Sequence, residues 1–485
     1  MESVKQETLS GVKWSAIGSF SYNGIHFILG IILARLLTPD DFGAIAMLGV
    51  FIAISNTFID SGFTQALIRK LDRTDVDYST VFYFNFVISV LCYIVLFLLA
   101  PWVANFYKIP ILCPVLRVQA ITLIINSLCV IHTTQLTIAI DFKGIAMRGL
   151  YSVLISGVVG IVLAYLGLGI WALVVQGLLA EVVNMVFLWS YNKWKPLWTF
   201  SWQSFRELFS FGGKLLASGL LNTVYDNLNS LIIGKMFTAR DLGYYNRGTQ
   251  FARFPGNTIN SILQKVTYPV MSKIQNDDEH LIRVYRKYIA STCMVIFFVT
   301  TLLAALGRPV VLLVLSDKWA DAIIYLQIYC FAVMFAHING INVNLLKVKG
   351  RSDIILRLDV IKKTISIGIL FTSIPFGVIG ICVSKILWVQ IAIIINTYYT
   401  GKYFGLGYFE QIKDFIVFFV TSLIACLPAY LFAIVIPSNI FSLIWGLIVS
   451  PLLYWFILRN NPIMKEMLDI VVSNVPLINN KYRNE

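Results

Sequence analysis

Apolar runs of about twenty residues or more follow one another almost from end to end of this chain, and no other feature leaves so few folds open. A helix needs ~20 mainly apolar residues to cross the hydrocarbon core of a bilayer. There a continuous run of that length satisfies its own backbone hydrogen bonds only as a helix. Fourteen such runs stand at 11–37, 42–67, 79–104, 114–138, 146–166, 168–191, 206–237, 242–268, 287–307, 321–346, 355–375, 377–400, 413–436 and 439–458. The Gly-rich turn Leu166–Gly169 divides the fifth from the sixth. With 58% of its 485 residues hydrophobic and 13% charged, the chain has no stretch left over for an aqueous domain. Its longest connections are Asn192–Ser204 and Ser272–Arg286. The first run lacks a short apolar core with a small-residue cleavage site and reads as a retained helix. The expectation is an all-α integral membrane protein of about 14 transmembrane helices.

The turn Leu33–Gly43, LARLLTPDDFG, comes back 200 positions later as Ile233–Gly243, IGKMFTARDLG. The copies agree at Arg35/Lys235, Thr38/Thr238, Asp41/Asp241, Phe42/Leu242 and Gly43/Gly243. Each ends one apolar helix with a basic residue and opens the next at an Asp, where a carboxylate suits exposed N–H groups. Such a repeat is the mark of a two-lobed transporter. It divides the chain into an N-terminal six-helix lobe (1–191), a cytoplasmic linker (192–205), a C-terminal six-helix lobe (206–400) and two extra helices with a cytoplasmic tail (401–485). Both halves begin on the same side of the membrane, so the lobes are parallel repeats around a central cavity. Trp194, Trp198 and Trp202 in the linker suit the headgroup layer.

Basic residues fix the orientation. Lys5, Lys13, Arg69, Lys70, Arg73, Lys143, Arg148, Lys193, Lys195 and Arg206 begin one set of loops, which Lys347, Lys349, Arg351, Lys362 and Lys363 continue. The other side has Arg35, Lys108, Lys235, Arg240, Arg308 and Lys318 and little more, an imbalance of roughly three to one. An even number of spans with both termini cytoplasmic follows. The net charge of +13 is spread over these short gaps and forms no basic face or tail, so nucleic acid is not the partner. The seven cysteines stand singly, without a CxxC spacing.

Several stretches together carry a family resemblance. The opening SGVKWSAIG (Ser10–Gly18), the ILARLL…DDFG turn and DSGFTQALIRK (Asp60–Lys70) look like those of polysaccharide flippases. So do YNRGTQFARFPGNTINSILQKVTYPVMSKIQND (Tyr245–Asp277), SDKW (Ser316–Trp319) and GRSDI (Gly350–Ile354). Over about its first 400 residues the chain resembles the Wzx-type transporters of the multidrug/oligosaccharidyl-lipid/polysaccharide exporter superfamily, nearest the colanic-acid-exporter branch. The resemblance implies the two-bundle fold of that superfamily, in the bacterial inner membrane. It also implies movement of an undecaprenyl-pyrophosphate-linked oligosaccharide from the cytoplasmic to the periplasmic leaflet. Membrane lipids, H+ or Na+, and a polysaccharide polymerase and glycosyltransferases are the partners such a role suggests.

An ionisable side chain at mid-bilayer costs ~2.5–3.5 kcal/mol on insertion scales and is a functional hypothesis by default. The eighth run carries Arg247, Gln250, Arg253, Asn257, Asn260 and Gln264, mostly at spacings of three and four that share one helical face. Guanidinium binds two phosphate oxygens at once with a permanent charge, so Arg253 and Arg247 are the expected head-group ligands. Lys214, Asn222 and Asn257 stand beside them as substrate-binding residues. An interior salt bridge or an outward snorkelling arginine is the alternative. Asp226 and His26, at matching positions of the two repeats, are expected to exchange protons with the transport cycle, as are Glu181 and Asp60. The competing readings are a His bonded to a carbonyl, an Asp226 locked to Arg253, a Glu181 buried in a pair, and an Asp60 that caps a helix or pairs with Arg69.

No GxxxxGK[ST], HExxH or GxSxG occurs, so neither a nucleotide site, a metal nor a cofactor is expected. Energy then comes from an ion gradient or from removal of the cargo on the far side. Two other classes compete: a multidrug-type exporter, which calls for acidic rather than arginine-bearing cavities, and a membrane polymerase or ligase, which calls for catalytic residues in an outer loop.

Overall fold

The computed structural model describes residues 2–474, with the side chains of 2–17, 19, 257–266, 268, 269, 352, 356, 468 and 470–474 outside the described set. It has two compact units, Met1–Gly243 and Tyr244–Glu485. The first holds α1 (Glu2–Leu36), α2 (Pro39–Asp60), α3 (Phe63–Arg69), α4 (Asp75–Tyr107), α5 (Leu112–Gln119), α6 (Ile121–Ile138), α7 (Phe142–Tyr165), α8 (Ile170–Tyr191) and α9 (Trp202–Met236). Helix α10 (Ala239–Lys273) begins at the end of the first unit and runs into the second. There follow α11 (Asp278–Ala305), α12 (Gly307–Val314), α13 (Ala322–Val348), α14 (Ser352–Ser373), α15 (Gly377–Phe404), α16 (Tyr408–Val435), α17 (Asn439–Leu458) and α18 (Pro462–Asn474). No strand occurs among the described residues.

Every one of the fourteen expected runs is helical. Ten helical stretches, one of them containing both α14 and α15, are long and apolar enough to cross a membrane. Of the remaining three, the described part of α1, Phe20–Leu36, is a shorter apolar helix, while α9 and the described part of α10 carry many polar side chains. The division at Leu166–Gly169 holds, with Gly167 (φ +80°) and Gly169 (φ +56°) in conformations that a side chain resists. Large apolar side chains such as Leu98, Val162 and Leu221 remain exposed, as a bilayer solvent requires.

The repeated turn builds the same cap twice. Thr38 Oγ1 accepts from the Asp41 N–H (3.3 Å) while Asp41 accepts from the Thr38 N–H (3.0 Å). Thr238 and Asp241 do the same at 3.1 and 3.1 Å. These reciprocal bonds satisfy donors that the first turn of a helix leaves open, so the acidic residues here are helix starts. In the first unit α7 packs between α1 and α8, and α9 lies against α2, α3 and α4. The linker runs extended over α4: the Leu197 and Ser201 N–H groups donate to Ser79 Oγ (2.9 Å) and Thr80 Oγ1 (3.1 Å). Trp194 packs its ring on Tyr78 and Phe82, while Trp198 and Trp202 are exposed.

The second unit is centred on Phe297, Phe335 and Phe415, with α16 packed along α11. A polar knot lies inside it. Tyr285 donates to Asn342 Oδ1 (2.9 Å), Asn342 donates to Gln411 Oε1 (3.0 Å), and Thr400 donates to Asn342 Oδ1 (3.1 Å). All four are buried. The knot ties α11, α13, α15 and α16 together, and α17 joins the same core through Tyr454 and Leu458.

Candidate functional site

Between α1, α2, α3, α6, α7 and α8 the first unit forms a half-open cavity of about 670 Å³ with a mixed polar and apolar lining. The chain breaks to make room for it. Ser61 (φ +45°) and Gly62 (φ +70°) are both left-handed, which stops α2 at Asp60 and restarts it as α3. Gly62 also touches α9: a Cβ there would stand 2.6 Å from the Gly212 carbonyl oxygen. Asp60, half-buried, accepts from Thr64 Oγ1 (2.6 Å) on the cavity wall. Above it Asn126 donates to Asn56 Oδ1 (3.0 Å).

Opposite them, Arg148 on α7 and Glu181 on α8 line the same cavity. Arg148 donates from Nη1 to Thr133 Oγ1 (2.7 Å), and its Nε, sealed from solvent, has no hydrogen-bond partner among the described residues. Glu181 accepts a long bond from Asn184 Nδ2 (3.5 Å), whose Oδ1 is sealed and without a partner among the described residues. No ion pair joins Arg148 to Glu181 or Asp60 among the described residues. A charged wall of this kind inside apolar helices needs water or a ligand to complete its hydrogen bonds.

The second unit presents the arginines of α10. Arg247 is 8% exposed; it donates to Gln250 Oε1 (2.8 Å), and its guanidinium carbon lies 6.0 Å from the centre of the Trp319 ring. The SDKW stretch puts that ring there. Ser316, at φ +98°, turns the chain into a short 3₁₀ segment, Asp317–Trp319, whose Trp319 is fully buried. Arg253 donates from Nε (3.1 Å) and Nη2 to the Tyr329 hydroxyl, with its guanidinium carbon 5.0 Å from that ring's centre.

Of the residues singled out from the sequence, the structure therefore brings Asp60 and Glu181 to one cavity, and Arg247 and Arg253 to one aromatic-lined helix. Asp60 is not paired with Arg69, which lies over the Phe211 ring at 4.7 Å. Lys214, Asn222 and Asp226 are exposed along α9. His26 is exposed on α1 and stacks on Tyr22, with ring centres 6.0 Å apart. The side chain of Asn257 lies outside the described residues. Sequence reasoning missed Arg148, which reads as a loop charge because it stands six residues into α7. Its spacing of four from Ser152, also on the cavity wall, was the available signal.

A family profile described as polysaccharide biosynthesis protein matches residues 32–324. The chain is 25% identical over 447 residues to the lipopolysaccharide biosynthesis protein WzxC of Escherichia coli (strain K12), covering 90% of each. It is 22% identical over 476 residues to the succinoglycan biosynthesis transport protein ExoT of Rhizobium meliloti (strain 1021), covering 96% of each. Among solved structures, the lipid II flippase MurJ in an inward closed conformation superposes with a TM-score of 0.73 at 15% identity, over 92% of this chain and 99% of that one. An inward-facing multidrug resistance MATE family transporter gives 0.60 at 13% identity, over 83% and 95%. At these identities the structural likeness speaks for the fold.

Proposed function

The chain belongs to the polysaccharide biosynthesis protein family, and from that premise we propose that it is a flippase. It moves an undecaprenyl-pyrophosphate-linked oligosaccharide repeat unit from the cytoplasmic to the periplasmic leaflet of the bacterial inner membrane by alternating access. The observation that carries this reading is the half-open, partly polar cavity of about 670 Å³ in a bundle of apolar helices. A protein that only scaffolds a membrane gains nothing by holding the half-buried Arg148, Asp60 and Glu181 among membrane-spanning helices, where an ionisable side chain costs ~2.5–3.5 kcal/mol. A carrier of a sugar head group needs such a wet interior, while the lipid tail of its cargo stays in the bilayer.

Arg253 and Arg247 take the pyrophosphate, held in place by Tyr329 and Trp319. Lys214, Asn222 and Asn257 contribute to the same task. An H+ or Na+ gradient drives the cycle, with Asp60 and Glu181, or His26 and Asp226, as the groups that titrate. Residues 1–191 and 206–400 are the two lobes that exchange access, joined by 192–205, and the excess of basic residues on one set of loops supports a cytoplasmic side for both termini. The polymerase and glycosyltransferases of the same sugar are its protein partners. The fold likeness to a MATE transporter raises a multidrug-type exporter as a second reading; the arginines of α10 suit an anionic head group rather than a hydrophobic cation.

Deletion in the native host tests the proposal. A lipid-linked oligosaccharide should accumulate on the inner leaflet, and the purified chain should move it across proteoliposomes without releasing free undecaprenyl pyrophosphate or forming a glycosidic bond. Normal export in the deletion strain, or turnover of either kind, would overturn it.

A further inference from the structure

Resting on the flippase reading, we infer that the cavity of the first unit is a saccharide site, which takes one or two neutral sugar rings of the cargo. All its lining residues fall between Gly18 and Asn184 in the first unit, whereas Arg247 and Arg253 belong to the second. Its volume of about 670 Å³ lies within the ~300–1,000 Å³ of small-molecule sites.

The chemistry of the wall selects the ligand. The wall carries groups of opposite kinds: the Arg148 guanidinium is a donor, and the Asp60 and Glu181 carboxylates are acceptors. An occupant that completes both must accept and donate within one cavity. A bare cation would serve the carboxylates and be repelled by Arg148. A phosphate would serve Arg148 and meet two carboxylates, Asp60 and Glu181. A hydroxyl group donates and accepts, and neighbouring hydroxyls on a pyranose ring match the paired atoms of planar carboxylate, amide and guanidinium groups. Asn56 and Asn126, bonded to each other at 3.0 Å, present further amide atoms on the same wall. Tyr22 adds an aromatic ring to it, packed over Gly149, where a Cβ would stand 3.1 Å from the ring.

The test uses the full chain in lipid nanodiscs and two probes: the water-soluble oligosaccharide released by mild acid from the lipid-linked pool of the deletion strain, and inorganic pyrophosphate. Calorimetric titration of wild type, Arg148→Gln, Glu181→Gln and Asn126→Leu should show oligosaccharide binding weakened about tenfold in each variant, one tenfold step being about 1.4 kcal/mol. Pyrophosphate binding should be unchanged. Should a variant fail to assemble, Asn184→Cys supplies a second measurement. The oligosaccharide should slow maleimide modification of the introduced thiol, followed by mass spectrometry of its peptide. Oligosaccharide affinity unmoved by the cavity variants, or no protection of the thiol, overturns the inference while leaving the flippase reading in place. A deletion strain that accumulates no lipid-linked oligosaccharide removes the flippase reading first, and the saccharide site with it.

Discussion

Gly43 and Gly243, equivalent positions of the two repeats, are each pressed against the helix that the other belongs to. A Cβ on Gly43 would lie 1.6 Å from the Ala239 carbonyl oxygen, and one on Gly243 would lie 2.0 Å from that of Pro39. The starts of α2 and α10 therefore cross backbone to backbone, as small residues permit between helices in a membrane. Carbonyl groups locked in capped first turns cannot step aside as a flexible side chain would. Alanine at either position should cost at least the 1–3 kcal/mol typical of overpacking, read as a lowered unfolding temperature of the purified protein. A Gly43→Ala variant as stable as wild type would mean that the crossing is slack.

Thr38 and Thr238 hold those same first turns. Their reciprocal bonds with Asp41 and Asp241 close two capping boxes. Thr38→Val removes the hydroxyl and keeps the shape, so it should cost about 1 kcal/mol. Thr238→Val should cost a similar amount. Because the two caps adjoin the glycine crossing, the double variant should lose an amount different from the sum. Thermal unfolding of the three variants gives the coupling directly, and strict additivity would mean that the two turns act separately.

Much of this architecture is legible in the order of the residues alone. A bilayer accepts few solutions, so all fourteen apolar runs became helical, two of them broken into α2 and α3 and into α5 and α6, and the pairs Arg35/Lys235 and Asp41/Asp241 revealed the repeat. What stayed hidden is whatever depends on direction rather than on composition. Arg148 looks like one more loop charge until the packing of α7 turns it toward the cavity that Glu181 also lines. Asn342 is one of three asparagines in its run and Gln411 lies just before another run, and nothing in the order of residues announces that they bond to each other across 69 positions. For Asp60 the motif DSG was visible, but the left-handed pair Ser61 and Gly62 that ends the helix beside the cavity was not.

The buried knot around Asn342 is itself a stability prediction. Asn342 serves Tyr285, Thr400 and Gln411 at once. Asn342→Leu keeps the volume and orphans several buried polar groups, each costing about 1–3 kcal/mol. The expected result is poor membrane abundance or a strongly lowered unfolding temperature. Tyr285→Phe removes one donor and should cost less. Equal effects of the two variants would show that Asn342 is not the hub.

Arg253, proposed to bind the head group, should behave differently. Arg253→Ala should abolish export at normal membrane abundance, and retained export would remove it from the site. Arg253→Lys should fail to restore full export, since an ammonium lacks the planar fork that grips two oxygens at once. Tyr329→Phe leaves the charge and removes the hydroxyl that orients it, so its expected defect is partial. In-cell export assays normalised to protein level decide all three.

The identity of the driving groups divides on two sets of variants. Asp60 and Glu181 share an interior cavity, whereas His26 and Asp226 are exposed on α1 and α9. A carboxylate that carries protons must bind one where the pH is low and release it where the pH is high. Asp60→Asn with Glu181→Gln fixes both in a permanently uncharged form. If these groups couple the gradient, the double variant should still equilibrate cargo across proteoliposomes but no longer accelerate when the outside is acidified. His26→Asn with Asp226→Asn should then keep that acceleration. The reverse outcome would assign coupling to the exposed pair, while acceleration intact in both would leave proton coupling without a carrier among these four residues. Loss only when sodium is withdrawn would point to Na+ as the driving ion.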